Sequence, residues 1–256
     1  MSFEGEVVLV TGGVGGLGDA TVRRLHAQGA AVVIADVNDE KGNALAEELG
    51  KKTVYVPTDV LDDSTLESAF AAADELGTLR YAVIAHGGYG VLEKVVNRDG
   101  SPHSLKGFAD TIALYLTGTF NVLRLAGSKI ATLDPKVNGE RGAIVMTSSI
   151  AGYEGQIGQA AYAAAKGGVI SLTLTGARDL SAVGIRVNSI APGTIHTPLM
   201  NFLGDEKLAK FAASVPFPKR LGVPDEFAAL AQHLLENSYI NGEVVRIDGA
   251  QRFQPK

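Results

Sequence analysis

A short apolar strand followed at once by a glycine-rich turn and a helical pattern constrains the fold of this chain most. Residues 6–10 form a Val-rich run, residues 11–18 read T-G-G-V-G-G-L-G, and a helical apolar pattern follows. Glycines let the backbone approach a ligand closely, and a helix N-terminus offers free N–H groups and positive potential to a phosphate. By spacing, the relevant glycines are Gly12, Gly16 and Gly18. The alternative is a plain tight turn.

Short apolar runs alternate with helical patterns along the rest of the chain. The runs lie at 31–35, 53–57, 80–85, 142–147, 185–191 and 243–247. This order predicts an α/β protein of about seven parallel strands with helices on both faces of the sheet, as in a doubly wound Rossmann fold. Because no linker or repeat divides it, we expect a single domain over residues 1–256. We also expect one long helix at 108–133, an exposed insertion at about 92–105 and an apolar lid at 195–217.

The second apolar run ends in an acidic residue, Asp36. A carboxylate at this point hydrogen-bonds the adenosine ribose and repels a 2′-phosphate. No Arg follows at positions 37 or 38, so we predict NAD as the cofactor rather than NADP. The alternative is that Asp36 only begins the next turn. Asp59, after the third run, either meets the adenine or begins a turn in the same way.

A hydroxyl, a phenol and an ammonium follow the run at 142–147. Ser149 comes just after the predicted strand, and Tyr162 and Lys166 lie one turn apart on an Ala-rich helix at 158–181. A nearby cation stabilises a phenolate and lowers its pKa. Such a trio suits proton transfer to or from an alcohol or carbonyl oxygen. The alternative is an ordinary surface pair beside a turn serine.

Composition excludes several classes of function. The 256 residues have a net charge of -5 and no long basic run, which argues against nucleic-acid binding. No apolar stretch has membrane-spanning length and the first residues do not resemble a signal peptide, so we expect a cytoplasmic protein without a membrane partner. The chain has no Cys, and its 5 His have no metal-ligand spacing. We therefore predict no metal site.

Four ordered signals resemble the short-chain dehydrogenases/reductases. They are T-G-x-x-x-G-x-G at 11–18, Ser149, Y-x-x-x-K at 162–166 and P-G at 192–193, and the likeness spans nearly the whole chain. Three longer phrases are similar to one subgroup, the type II 3-hydroxyacyl-CoA dehydrogenases. These phrases are E-G-Q-I-G-Q-A-A-Y at 154–162, V-P-F-P-K-R-L-G at 215–222 and N-G-E-V-V-R-I-D-G-A at 241–250.

The resemblance implies a role for each matching residue. Tyr162 would be the general base, Lys166 would lower its pKa and hold the nicotinamide ribose, and Ser149 would orient the substrate oxygen. Gln156 would face the substrate. The residues implied to bind the cofactor are Gly12, Gly15, Gly16, Leu17, Gly18, Asp36, Asp59, Val60, Ala85, Gly87, Tyr162, Lys166, Pro192, Gly193, Ile195 and Thr197.

The chain departs from the family pattern at two places. The family's N-N-A-G after the fourth strand is Ile84-Ala85-His86-Gly87 here, so both asparagines are absent. The asparagine that completes a catalytic tetrad, and supports a water in the proton relay, falls at Tyr115. A phenol there would either take over its hydrogen bond or block the water. For His86 we expect a structural role rather than a catalytic one.

The activity implied is an NAD-dependent interconversion of a secondary alcohol and a ketone, with 3-hydroxyacyl-CoA as the first candidate substrate in fatty acid metabolism. Lys207, Lys210, Lys219 and Arg220 are candidates to meet CoA phosphates or belong to a solvated face. The alternatives are a hydroxysteroid or other apolar alcohol as substrate, and an NAD-binding protein with little catalysis. We expect a homotetramer, because Ala160, Ala161, Ala164, Ala165 and Gly168 form a small helix face, unless that face is buried within the chain.

Overall fold

The computed structural model describes residues 3–88, 90–136 and 138–255. Within these residues, parallel strands form one seven-stranded sheet in the order β3-β2-β1-β4-β5-β6-β7, which confirms the predicted fold class. The strands are Glu6–Thr11 (β1), Ala31–Asp36 (β2), Thr53–Pro57 (β3), Thr78–Ile84 (β4), Gly142–Thr147 (β5), Ile185–Pro192 (β6) and Val244–Ile247 (β7).

Helices cover both faces of the sheet. They are Gly16–Ala27 (α1), Asp39–Leu49 (α2), Asp63–Leu76 (α3), Leu105–Ile112 (α4), Gly118–Ala131 (α5), Ala160–Ser181 (α6), Asp205–Ser214 (α7) and Pro224–Glu236 (α8). Side chains of Asn38, Asp62 and Ser104 accept backbone N–H groups at the first turns of α2, α3 and α4, as N-cap residues do. These local signals fix where the helices begin.

Two apolar cores lie on opposite faces of the sheet. Val7 and Leu9 of β1 pack into one core with residues of α3, α5 and α6, whereas Val8 and Val10 pack into the other with residues of α1 and α8. All four side chains are fully buried. Because successive strand residues point to opposite faces and both faces are covered, β1 is a continuous apolar run without alternation.

The strand order reverses direction at β1, which has β2 on one side and β4 on the other. At such a switch point the loops after the two strands diverge and leave a crevice at their carboxyl ends, where open α/β sheets bind ligands. Here β1 ends at Thr11 and β4 ends at Ile84. The sheet topology therefore places the glycine-rich turn beside the His86 segment.

The helix predicted at 108–133 is interrupted. It begins earlier, at Leu105, and a π turn at Ala113–Thr117 separates α4 from α5. The Gly118 N–H donates to Ala113 O, one residue further back than in an α-helix. A Cβ at Gly118 would lie 2.6 Å from Val60 Cγ2, so the chain packs closely there. Tertiary packing determines where such a π turn forms, and the apolar pattern of the sequence does not indicate its position.

The predicted insertion and lid both surround the carboxyl edge of the sheet. In the insertion, Leu92, Val95 and Leu105 are exposed, and Glu93 pairs with Gln159 in an isolated bridge. The lid comprises a 3-10 helix at Pro198–Leu203 followed by α7.

None of the helices in the described parts of the chain has the length and apolarity needed to span a bilayer.

Candidate active site

A cavity of about 700 Å³ lies at the carboxyl ends of the strands, which is a usual size for a small-molecule site. Most of the predicted site residues line it: Gly12, Gly15, Gly16, Leu17, Asp36, Ala85, Gly87, Tyr115, Ser149, Gln156, Tyr162, Lys166, Pro192, Gly193, Ile195 and Thr197. Gly18, Asp59 and Val60 are not among the lining residues. The fold thus brings together residues from both ends of the chain.

Glycines allow three segments to meet at the mouth of α1. Gly12 has φ +64°, and a Cβ there would lie 2.4 Å from His86 Cα. A Cβ at Gly18 would lie 2.0 Å from Gly12 O, which explains why Gly18 serves helix–strand packing and not the cavity wall. At Gly16 a Cβ would lie 2.7 Å from Thr197 Cβ. The first turn of α1 therefore faces the cavity, and its N-cap residue, Gly15, has no side chain that could cap it.

The Asp36 carboxylate is held against the glycine-rich turn. Its two oxygens accept the N–H groups of Val14 at 3.2 Å and Asn38 at 3.1 Å. Each oxygen keeps a further lone pair for a hydroxyl donor. Asp59 instead accepts the N–H of Leu61 at 2.9 Å and begins the turn before α3. Asp59 therefore has a place in this turn, and its contact with the adenine stays a prediction.

Lys166 is buried under the end of β5. Only 3% of the residue is exposed, and its Nζ donates to Thr147 O at 2.6 Å. The Ser148 hydroxyl donates to Lys166 O at 3.0 Å, so the strand end holds both the side chain and the backbone of this residue. Burial lowers the pKa of Lys166 to about 7, because desolvation penalises the ammonium. The contact with Thr147 O offsets part of that penalty.

The expected low pKa of Tyr162 is not what the structure shows. Burial raises the pKa of the Tyr162 phenol, the neighbouring Tyr115 raises it further, and a hydrogen bond with Ser149 lowers it in part. This difference has a physical cause, because burial removes the water that would stabilise the phenolate. The Lys166 Nζ lies 5.9 Å from the centre of the Tyr162 ring. Tyr162 is only partly covered and lines the cavity, so water opposes some of this rise.

Tyr115 occupies the space between Lys166 and the segment after β4. The Lys166 Nζ lies over the face of its ring at 4.8 Å from the centre, within the range of a cation–π contact. Its ring also meets that of Tyr162 edge to face at 5.0 Å. Its hydroxyl donates to Gly88 O and accepts from the Gly88 N–H. The phenol hydroxyl is therefore bound to backbone, and the ring face meets the ammonium.

Glycines in the segment after β4 give this large ring its room. A Cβ at Gly87 would lie 3.3 Å from Tyr115 Cε1, and one at Gly90 would lie 3.7 Å from Cε2. Ile84, Ala85 and His86 stand where the family has two asparagines and an alanine, and this segment contacts the turn that carries Tyr115 through His86 and Gly88. The two departures noted in the sequence form one local rearrangement.

His86 has a structural place in this arrangement. Its Nδ1 lies 2.9 Å from Thr11 Oγ1, and its Nε2 lies 3.2 Å from Leu114 O in the π turn. Burial, with a smaller contribution from the Lys166 charge, lowers the pKa of His86 to about 4. A neutral imidazole can accept a hydrogen bond from the Thr11 hydroxyl at Nδ1 and donate one to Leu114 O from Nε2. His86 therefore links the end of β1 to the π turn.

Ser149 and Gln156 precede Tyr162 in the chain and line the same cavity. Ser149 is buried, begins a 3-10 turn, and its Oγ accepts the Ala151 N–H at 3.1 Å. Gln156 lines the cavity, but its side-chain amide donates to Gln254 O at 3.0 Å. Leu199, Met200 and Phe211 of the lid complete an apolar wall.

Sequence reasoning missed several lining residues. Thr147 and Ser148 directly precede Ser149 at the end of a predicted strand, and this position indicates that they line the site. Lys41 lines the cavity near Asp36, one turn into α2. Phe253 also lines it, although the residues around it have no periodic pattern.

No group of three or more His, Asp or Glu side chains in the described residues has a metal-binding arrangement.

Comparison with known proteins gives consistent matches over the full chain. A family profile described as Enoyl-(Acyl carrier protein) reductase matches residues 12–250. The protein named 3-hydroxyacyl-CoA dehydrogenase type-2 from Homo sapiens is 46% identical over 99% of this chain and 98% of its own length. Its namesake from Bos taurus is 45% identical over the same shares.

A solved structure is similar as well. The crystal structure titled 3-hydroxyacyl-CoA dehydrogenase type-2 from Mycobacterium avium superposes with a TM-score of 0.98 at 63% identity, covering 99% of this chain and 98% of that one. The fold and these matches define an oxidoreductase. The chain belongs to the short-chain dehydrogenase/reductase family, as its motifs indicated.

The pKa of Lys166 predicts a pH-dependent stability. Below pH 7 the folded and unfolded chains both keep the Lys166 proton. Between pH 7 and the ordinary lysine pKa of 10.5, only the unfolded chain keeps this proton. The free energy of unfolding of the native protein therefore rises with pH. Lys166→Met removes this dependence on pH. From pH 7 to 9 we expect the melting temperature of the native protein to rise relative to Lys166→Met, by on the order of 5 °C.

Thermal unfolding in parallel buffers without cofactor measures this difference. Lys51→Met is the matched control, because it makes the same substitution at an exposed lysine outside the cavity. A constant difference between the melting temperatures of the native protein and Lys166→Met, or a fall of the native value relative to Lys166→Met as the pH rises, would contradict a depressed pKa at Lys166.

Proposed function

We propose that this protein is an NAD-dependent dehydrogenase that interconverts a 3-hydroxyacyl-CoA and a 3-oxoacyl-CoA. One observation carries the proposal: the hydroxyl of Ser149, the phenol of Tyr162 and the ammonium of Lys166 line the same cavity as the glycine-rich turn and Asp36. A proton-transfer group and a dinucleotide cradle that share one cavity suit coupled proton and hydride transfer.

The residues at the cofactor end fit a dinucleotide. The uncapped first turn of α1 presents backbone N–H groups and positive potential to a pyrophosphate. Asp36 is fixed where its carboxylate would accept ribose hydroxyls and oppose a 2′-phosphate, which favours NAD. Thr197, packed against Gly16, would meet the carboxamide, and Lys166 would meet the nicotinamide ribose. Lys41 adds a positive charge at the adenosine end, so both cofactors need to be compared.

Tyr162 would exchange a proton with the substrate oxygen. In oxidation the proton of the substrate O–H group would pass to the Tyr162 phenolate, and the hydride of the substrate C–H bond would pass to the nicotinamide held by the residues named above. Ser149 would hydrogen-bond the same substrate oxygen and fix its direction. The oxidised nicotinamide, when bound, accepts the hydride and carries a positive charge. Reduction is the reverse, with Tyr162 as the proton donor.

The raised pKa of Tyr162 shapes this proposal. It keeps the phenol protonated at neutral pH, which suits donation to a ketone. Oxidation needs the phenolate, and therefore needs positive charge near Tyr162. Lys166 supplies it only while protonated, and the Tyr115 ring face and Thr147 O both favour its charged form. Tyr115 would thus assist Lys166 through its ring and not through its hydroxyl.

The substrate half supports an acyl thioester. Leu199, Met200 and Phe211 give an apolar wall for an acyl chain, and the full-length relatives bear the corresponding name. Of the four cationic side chains considered for CoA phosphates, Lys210 pairs with Glu206 and Arg220 pairs with Glu226. Lys207 and Lys219 are the better candidates.

We also propose a homotetramer. Ala161 and Ala165 are buried within the chain, and Gly168 packs against Leu116, so most of the small face serves the protein's own core. The outer faces of α5 and α6 instead expose Phe120 and Leu174, which are 49% and 46% exposed. These two apolar side chains support pairing through those helices.

A screen of initial rates tests the proposed activity. We expect NADH formation from 3-hydroxyacyl-CoA and NADH consumption with 3-oxoacyl-CoA, with NAD strongly preferred over NADP. Hydroxysteroids and simple alcohols are the comparison substrates. Tyr162→Phe should lower kcat by about 10²–10⁴-fold, because it removes the proton-transfer group, while NAD binding by calorimetry stays near the native value.

The outcomes separate the candidate functions. Turnover of steroids but not of acyl-CoA would support the proposed reaction and rule out the proposed substrate. NAD binding without turnover in the native protein across the whole panel would support a binding protein. Full activity in Tyr162→Phe would remove Tyr162 from the mechanism.

Variants of Tyr115 test its assistance to Lys166. Tyr115→Phe keeps the ring face and loses only the hydrogen bonds to Gly88, so we expect kcat within a few-fold of native. Tyr115→Leu loses the cation–π contact, which is worth about 0.5–2 kcal/mol, or roughly a 2–30-fold fall in kcat. It should also move the Lys166-dependent limb of the pH–rate profile to lower pH. If Phe is as damaging as Leu, the hydroxyl matters and the ring-face account is wrong.

A further inference from the structure

The C-terminal tail, residues 251–255, lies against the loop that connects Ser149 to Tyr162. The Phe253 N–H donates to Glu154 Oε2 at 3.3 Å, and the Ile157 N–H donates to Pro255 O at 3.0 Å. Gln156 donates to Gln254 O between these two contacts. Three successive tail residues are thus bonded to the loop, so the positions of tail and loop depend on each other.

A buried amide anchors the start of the tail. Gln251 is fully buried, and its Oε1 accepts the Thr194 N–H at 2.9 Å and the Thr194 hydroxyl at 3.1 Å. Its Nε2 donates to Ser214 Oγ at 2.8 Å, at the end of α7. This one amide therefore ties the tail to the segment after β6 and to the lid.

An ion-pair network fixes the middle of the tail. Arg246 of β7 binds Glu154 with two hydrogen bonds of 2.8 and 3.0 Å and binds Asp248 at 2.7 Å. These side chains are at most 25% exposed. Because the same Glu154 accepts the Phe253 N–H, the backbone of Phe253 has a fixed position relative to the loop.

Phe253 is a large apolar residue of the tail and is partly buried. It lines the same cavity as Met200 and Phe211 of the lid. Resting on the proposed function, we propose that Phe253 is a specificity-determining residue whose ring limits the length of the acyl chain. A rigidly anchored tail keeps the ring in place, and the size of the side chain at 253 then sets the space that remains.

A size series at position 253 tests this proposal. kcat and KM are measured for 3-hydroxyacyl-CoA substrates from butanoyl to hexadecanoyl with the native protein, Phe253→Ala, Phe253→Leu and Phe253→Trp. Phe253→Ala should raise kcat/KM about tenfold for the longest chains, mainly through KM, since a few methylenes gain apolar contact. Phe253→Trp should move the optimum to shorter chains, and Phe253→Leu should fall between Ala and native.

Gln254→Ala is the matched control. Gln254 is exposed and its backbone carbonyl accepts the bond from Gln156, so the variant keeps the tail contact and should keep the native profile. Melting temperatures confirm that each variant is folded. Equal losses on every substrate in all three Phe253 variants, or an unchanged profile, would overturn the assignment. If the native protein turns over no acyl-CoA at all, the proposed function fails and this assignment fails with it.

Discussion

The burial of the Lys166 ammonium beneath the end of β5 is the interaction on which the rest of the site depends. Removing an ammonium from water is costly, and Thr147 O and the Tyr115 ring face are the groups that keep its charge tolerable. Each belongs to a different element, so the charge is stable only when β5, the π turn and α6 are assembled. Tyr162, one turn earlier on α6, lines the same cavity as Lys166.

The π turn and the segment after β4 support this interaction as a unit. His86 joins Thr11 to the carbonyl of Leu114, and Gly88 holds the Tyr115 hydroxyl from the same segment. A bulge of one residue in a helix re-aims its side chains, and such bulges are frequent at functional sites. The chain has therefore replaced a polar relay position by an aromatic one without exposing the buried ammonium.

The fold was predictable because strand and helix periods, glycine spacing and chain order all point to the same arrangement. Gly12, Asp36, Ser149, Tyr162 and Lys166 follow from local patterns and come together at the carboxyl edge of the sheet. The π turn, the sign of the Tyr162 pKa shift and the contacts of the tail with the loop at 154–157 were not predictable. Each depends on packing between segments distant in sequence, and neither periodicity nor a neighbouring charge reports such packing.

A crystal structure of the ternary complex with NAD and a 3-oxoacyl-CoA tests the central claim most directly. The account predicts Tyr162 Oη and Ser149 Oγ both within about 3.2 Å of the 3-oxo oxygen, with the nicotinamide ring beside that carbon and the Lys166 Nζ on the ribose. A complex in which the oxygen lies against His86 or Tyr115, or in which Tyr162 is remote from the nicotinamide, would contradict it.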